Sequence, residues 1–181
     1  SLAVGDIDGD GFADIVAGIG SNNLQPTIEI YSGADYSLMG RINPFGDKAT
    51  SINLAAGDIN SDNFVDIIVG QGEGGTGRVE AFSGRLIFDV IQNRAGANNG
   101  DASVQGVNPL DGNALSKATE LFTDVFRPFA DEEYTGAVDV SSGYILPRPE
   151  DLQTNDRLDQ VVQTSFANLI ALKVNSDSSK K

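Results

Sequence analysis

Residues 4–18 read VGDIDGDGFADIVAG and residues 56–70 read AGDINSDNFVDIIVG, one stretch written twice. Asp6, Asp8, Asp10, Phe12, Asp14 and Gly18 return as Asp58, Asn60, Asp62, Phe64, Asp66 and Gly70, at an offset of 52 residues. The echo continues downstream, where Thr27-Ile28-Glu29-Ile30-Tyr31-Ser32-Gly33 is answered by Arg78-Val79-Glu80-Ala81-Phe82-Ser83-Gly84 at an offset of 51. A period of about fifty residues decides the architecture before any local reading, because so short a unit buries its apolar face only by stacking on a neighbour.

Within each unit the pattern is short strands joined by turns. Ile15 to Ile19 and Ile67 to Val69 are compact apolar runs closed by glycine, as in strands covered on both faces. Ile28 and Ile30, and likewise Val79 and Ala81, alternate with polar residues and predict half-covered strands. Ser32-Gly33 and Ser83-Gly84 are turn signals, and Leu38 to Ile42 with Ile52 to Ala55 complete about four strands per unit. A worn third copy follows. Arg127-Pro128-Phe129 answers Asn43-Pro44-Phe45, Ser141-Ser142-Gly143-Tyr144-Ile145 answers Ala55-Ala56-Gly57-Asp58-Ile59, and Asn155 to Asp159 answers Asp62 to Asp66. Leu169 to Val174 matches the strand Ile28 to Tyr31.

The expected fold is therefore all-β: about three four-stranded β-propeller blades, too few to close a ring that takes at least four. Two units span 1–88, an insertion 89–119, the degenerate third unit 120–175 and a solvated tail 176–181. The insertion opens with the Asn- and Gly-rich run QNRAGANNGDASVQG, read as irregular loop, and ends in a short helix capped by Asn113 with Ala114, Ala118, Leu121 and Phe122 near helical spacing. Ser1 stands at the brink of the first acidic loop with no strand ahead of it, the look of a piece of a longer chain or of one completed by partner blades.

Composition narrows the chemistry. Of 181 residues, 26 are acidic and 12 basic, a net charge of −14 that repels phosphate backbones and anionic lipid while attracting cations. Neither His nor Cys is present, which removes a Ser-His-Asp triad, a thiol nucleophile and a thiolate zinc site. Only oxygen donors remain, and these select hard ions. No apolar run approaches the roughly 18 residues of a membrane span.

Asp6, Asp8, Asp10 and Asp14 occupy positions 1, 3, 5 and 9 of a tight loop, with the Phe12 carbonyl at position 7. Alternate side chains plus one carbonyl suit calcium, which takes six to eight oxygens. Gly9 and Gly11 supply the positive φ such a turn needs. The second loop repeats the set as Asp58, Asn60, Asp62, the Phe64 carbonyl and Asp66, with Asn63 in place of the second glycine. Carrying three formal charges instead of four, it predicts a second, weaker calcium site. An EF-hand is excluded because position 12 is Ala17 or Val69 instead of Glu and a strand follows where a helix belongs. In the third copy Tyr144 replaces the first aspartate, so no metal is assigned to Asn155 or Asp159.

The two loops, each followed by an Ile/Val-rich strand and the downstream F/Y-S-G turn, resemble the FG-GAP repeats of integrin α-subunit propellers and their bacterial relatives. The resemblance covers about residues 1–90 closely and 125–175 weakly. It implies calcium held by Asp6, Asp8, Asp10, Asp14, Asp58, Asn60, Asp62 and Asp66, in a secreted or cell-surface module for adhesion or ligand binding. A protein or glycan ligand, or further blades from the same or a partner chain, are the implied partners. A polysaccharide-acting enzyme is the alternative, with Asp131-Glu132-Glu133 the one dense carboxylate cluster outside the loops, and a structural subunit of an extracellular assembly is the third reading. No catalytic constellation is identified.

Overall fold

The computed structural model describes residues 1–21, 23–46, 50–94, 102–121, 126–128, 134–142 and 170–174. Among these, the chain forms three antiparallel sheets. Strands β1 (Leu2–Gly5), β2 (Asp14–Ser21), β3 (Leu24–Tyr31) and β4 (Leu38–Ile42) make a four-stranded meander in chain order. Strands β5 (Ile52–Gly57), β6 (Asp66–Gln71) and β7 (Val79–Phe82) make the second sheet, and β8 (Ala137–Ser141) with β9 (Ile170–Val174) the third. The repeat holds at the level of register: Gly5 faces Asp14 across β1–β2 and Gly57 faces Asp66 across β5–β6. Each acidic loop therefore leaves and rejoins its sheet at the same rung.

The sheets stack face to face, and glycine sets how closely. Gly5 lies against Val65 and Ala56, and Gly18 against Ile52 and Leu54, so the small-residue face of the first sheet meets the aliphatic face of the second. The second sheet repeats the arrangement on the third, with Gly70 against Val138 and Val140 and Gly57 against Ser142. The Asn53 amide donates to the Val138 carbonyl at 3.1 Å and the Ser142 hydroxyl to the Ala56 carbonyl at 2.5 Å. A main core runs between the first two sheets through Val16, Ile28, Ile30, Ile52, Ile67 and Phe82, and a smaller one joins Ala55, Ile68 and Ala81 to Val138. Among the described residues no closed ring forms, and the stack is a set of incomplete propeller blades.

Several sequence expectations are corrected. A strand does precede the first loop, β1, because Leu2 to Gly5 pair with Asp14 to Ala17. Strand β6 is buried throughout, as expected, but β2 is not: Ile15 and Ala17 are half-buried and Ile19 exposed, because nothing among the described residues covers that face. Conversely β7, expected to be half-covered, is fully buried between the stacked sheets and the segments crossing its edge. The blades hold four, three and two strands among the described residues instead of four each. In the second unit a helix, α1 (Gly84–Arg94), follows β7 where a fourth strand was expected, and it crosses the expected 88/89 boundary. Ser83 caps it, its hydroxyl accepting from the Leu86 amide at 3.2 Å, while Ile87 and Val90 bury a three-residue-spaced stripe. The edge of β7 is met instead by bridges from Phe82 to Glu120 and from Val79 to Phe126.

The second helix, α2 (Gly112–Thr119), is capped by Asp111 and not by Asn113. The Asp111 carboxylate accepts from the amides of Asn113 and Ala114, while the Asn113 side chain accepts from Asn43 Nδ2 at 3.1 Å. Leu121 lies beyond the helix. Strand β9 pairs directly with β8, the place taken by β2 and β6, and so is not the counterpart of Ile28 to Tyr31. The expectations placed on residues 95–101, Phe122, Phe129, Asp131-Glu132-Glu133, Tyr144, Asn155, Asp159 and the tail lie outside the described residues.

Candidate metal centre

The first acidic loop runs from the end of β1 to the start of β2, and its backbone is shaped by two left-handed residues, Gly9 at φ 72° and Gly11 at φ 91°. The second loop takes the same shape with Ser61 at φ 64° and Asn63 at φ 68°. Asn suits this region by bonding locally; serine there is strained. Ile7, fully buried, pins the first loop to the main core.

Asp14 holds the loop closed. Its side chain is fully buried, one carboxylate oxygen accepting from the Ile7 amide at 2.8 Å and the Asp8 amide at 3.4 Å, the other from the Gly33 amide at 2.9 Å. Asp66 repeats this with the amides of Ile59 at 2.9 Å and Gly84 at 3.1 Å. The Ser-Gly turns are thus more than turn signals. A Cβ on Gly33 would collide with the Ala13 carbonyl oxygen, and one on Gly84 with that of Val65, so only glycine brings its amide to the aspartate. The signal was present in the sequence as a Ser-Gly pair recurring at a nearly constant distance after the ninth loop position.

Asp6, Asp8 and Asp14 each turn one carboxylate oxygen inward, and these three oxygens lie within 4.8 Å of one another. Burial first, then the charge of Asp14 and those of Asp10 and Asp6, pushes Asp8 up to about 6. Burial also raises Asp14, against the lowering effect of its three amide hydrogen bonds. Asp6 has one oxygen accepting from the Gly11 amide at 3.1 Å, whereas its Oδ1 is buried without a hydrogen-bond partner. A buried carboxylate oxygen with no donor is costly unless a cation meets it. The donor set, oxygen only, fits a hard divalent ion. Asp10 is not part of the close group, and its Oδ1 accepts from the Phe12 amide at 2.8 Å. The Phe12 side chain is exposed, so its place in the motif is kept by backbone.

The second loop is arranged differently. Asp58 spends its oxygens on its own loop, accepting from Ser61 at 2.6 Å, Asp62 at 3.2 Å and Asn63 at 3.0 Å. Asn60 donates its side-chain amide to Asp62 at 2.9 Å, and the Phe64 amide donates to the other Asp62 oxygen at the same distance. Among the described residues no second trio of acidic groups converges as Asp6, Asp8 and Asp14 do. Burial, with lesser contributions from Asp62 and Asp58, still lifts Asp66 to about 6.

The comparison with known families turns on this first loop and its flanking strands. The family model for the FG-GAP repeat matches residues 1–27, from β1 through the loop and β2 into β3. That stretch is thus similar to an FG-GAP repeat. The acidic trio lies inside the matched stretch, and the β5–β6 unit follows that stretch in loop shape and register. A search of curated proteins returns no significant match.

Proposed function

We propose that the chain is a calcium-binding propeller module working outside the cell or on its surface, in adhesion, ligand binding or assembly, and without catalysis of its own. The observation that carries this reading is the buried, partnerless Asp6 Oδ1 beside the converging oxygens of Asp8 and Asp14. Asp6, Asp8, Asp10, Asp14 and the Phe12 carbonyl would hold the ion, which neutralises carboxylates that otherwise repel one another. Asp58, Asn60, Asp62, Asp66 and the Phe64 carbonyl would hold a second, weaker one, because Asp58 and Asp62 must first release loop amides. Extracellular calcium, in the millimolar range that suits modest-affinity loops, supports the location. The protein or glycan that the module binds would meet it on loops carried by the rigid stack.

Calorimetric titration of calcium into the chelator-treated protein tests the reading. Two sites of unequal affinity are expected, the stronger lost in Asp6→Ala and the weaker in Asp62→Ala. A protein that takes up no calcium, and whose melting temperature is the same in EDTA and in calcium, would remove the proposal.

A further inference from the structure

The two repeat units part company after their Ser-Gly turns. In the second unit the turn runs into α1, which covers the loop aromatic. The Phe88 ring lies 5.4 Å from that of Phe64, and the Arg85 guanidinium sits 5.0 Å over Phe64 and 5.8 Å over Phe88. The Arg85 Nε also donates to the Asp89 carboxylate at 3.2 Å. An arginine between two rings, tied to a carboxylate, is thus what the second loop's phenylalanine packs with. In the first unit Ser32-Gly33 leads instead into the short connection to β4. Phe12, the counterpart of Phe64, is left 59% exposed, and among the described residues no ring or cation meets it.

A second ring and a carboxylate stand at the same end of the first sheet; only the cation is missing. The β1–β2 and β3–β4 connections touch there, since a Cβ on Gly33 would meet the Ala13 carbonyl oxygen. Phe12 precedes Ala13, and Tyr36 follows Gly33 by three residues at 73% exposure. Tyr36 is strained: its φ of 60° is an outlier for a bulky residue, and glycine would make the turn freely. Among the described residues its ring and hydroxyl meet no partner, so nothing in the fold calls for an aromatic here. Asp35 beside it is exposed, and the Ser37 hydroxyl and amide hold its carboxyl below the usual carboxylate range, which keeps it charged. The net charge of −14 adds a field that draws cations and repels anionic glycans and nucleic acid.

We propose that this end of the first sheet binds an arginine side chain of a basic partner protein, its guanidinium stacking at Phe12 and Tyr36 and pairing with Asp35, as Arg85 does with Phe64, Phe88 and Asp89. Arginine suits the place better than lysine, because a planar guanidinium stacks on a ring and pairs with a carboxylate at once. Such a partner fits the surface module proposed above and rests on that reading only in that the module binds a protein; nothing in it needs the metal.

Fluorescence anisotropy of a labelled Gly-Arg-Gly-Arg-Gly amide, titrated with the 181-residue chain at roughly physiological salt, tests this beside lysine and citrulline versions of the peptide. Affinity should fall in the order arginine, lysine, citrulline. Phe12→Ala and Tyr36→Gly, which leave the net charge unaltered, should each weaken the arginine peptide at least about fivefold. Tyr36→Gly should melt no lower than wild type, because glycine accepts that φ, so a lost fold is not what its weaker binding reports. If Phe12→Ala fails to fold, Tyr36→Gly decides alone. Equal binding by wild type and Tyr36→Gly means attraction by bulk charge only and would overturn the proposal. So would a lysine or citrulline peptide held as tightly as the arginine one, or no binding up to about 1 mM. A chain that takes up no calcium yet discriminates the three peptides keeps this inference, and a calcium-binding chain indifferent to Tyr36→Gly loses it alone.

Discussion

Replacing Asp8 by Asn is expected to stabilise the ion-free protein at neutral pH and to weaken its hold on calcium, effects of opposite sign from one substitution. Burial and the charges of Asp14, Asp10 and Asp6 lift the Asp8 carboxyl from 3.8 to about 6. The native state thus binds this proton more tightly than the unfolded chain does. The stabilisation is complete below 3.8 and lost as pH rises through about 6. Roughly two pH units at 1.36 kcal/mol each bound the penalty on the ionised form at ~3 kcal/mol. Solvent reaching the half-buried side chain reduces this to ~1–2 kcal/mol. In a chain of this size that is a rise of roughly 2–8 °C in melting temperature for Asp8→Asn in EDTA at about pH 7. The gain should vanish near about pH 4, where the wild-type group is itself protonated in the fold. In excess calcium the order reverses, because the wild type collects the binding free energy of the ion and the variant lacks one ligand charge. Thermal melts by circular dichroism, in EDTA and in calcium at both pH values, give all four numbers. Should Asp8→Asn melt lower than wild type in EDTA at neutral pH, burial of the ionised Asp8 and the charges beside it are not what strains the loop.

Asp66→Ala removes the acceptor of two backbone amides at a fully buried position and should cost about 2–4 kcal/mol in urea unfolding; a loss under about 1 kcal/mol would mean that Ile59 and Gly84 find other partners. Gly33→Ala forces a methyl group onto the Ala13 carbonyl and should destabilise by about 2 kcal/mol or more, read by the same unfolding midpoint; an unchanged midpoint would show that the turn relaxes freely. Ser61→Gly relieves a serine held at φ 64° and should add about 0.5–1 kcal/mol, seen as a higher melting temperature in EDTA.

The two loops and the strands around them were legible because identical spacing at a fixed offset leaves few alternatives: a repeated Asp-rich turn before a repeated Ile/Val run has to be the same rung of the same sheet. The helix α1 was lost for the opposite reason. The repeat promised strand chemistry after Ser83-Gly84, and the stripe of Ile87 and Val90, with Arg85 paired to Asp89 at 3.2 Å one turn on, spoke for a helix only when the period was set aside. Strand β1 was missed because Leu2 to Gly5 is too short to alternate convincingly and is fixed by its partner β2, a long-range fact. The burial of β2 was overread because an apolar run looks the same whether its second face is covered or waiting to be covered. In the site, the spacing located every carboxylate but could not say that Asp10 would stand apart or that Asp58 would turn to its own loop amides, which depend on the local hydrogen-bond competition.

The ninth-position aspartates tie the acidic trio to the stacking of the sheets. Asp14 belongs to three structures at once: it offers an oxygen to the acidic trio, fixes the loop through Ile7, and ties the loop to the β3 turn through Gly33. Any change in the charge of the trio is therefore felt at the rung where β1 and β2 separate, and through Gly5 and Gly9 at Val65 and Phe64 of the next unit. Phe64 in turn is stacked on Phe88 of α1 at 5.4 Å and covered by the Arg85 guanidinium at 5.0 Å. An ion held in the first loop, as proposed, would act on a side chain packed into the second unit without touching it. A purely solvated acidic turn would have no reason to place its glycine under a neighbour's aromatic ring, and it is this contact that makes the loop part of the blade interface.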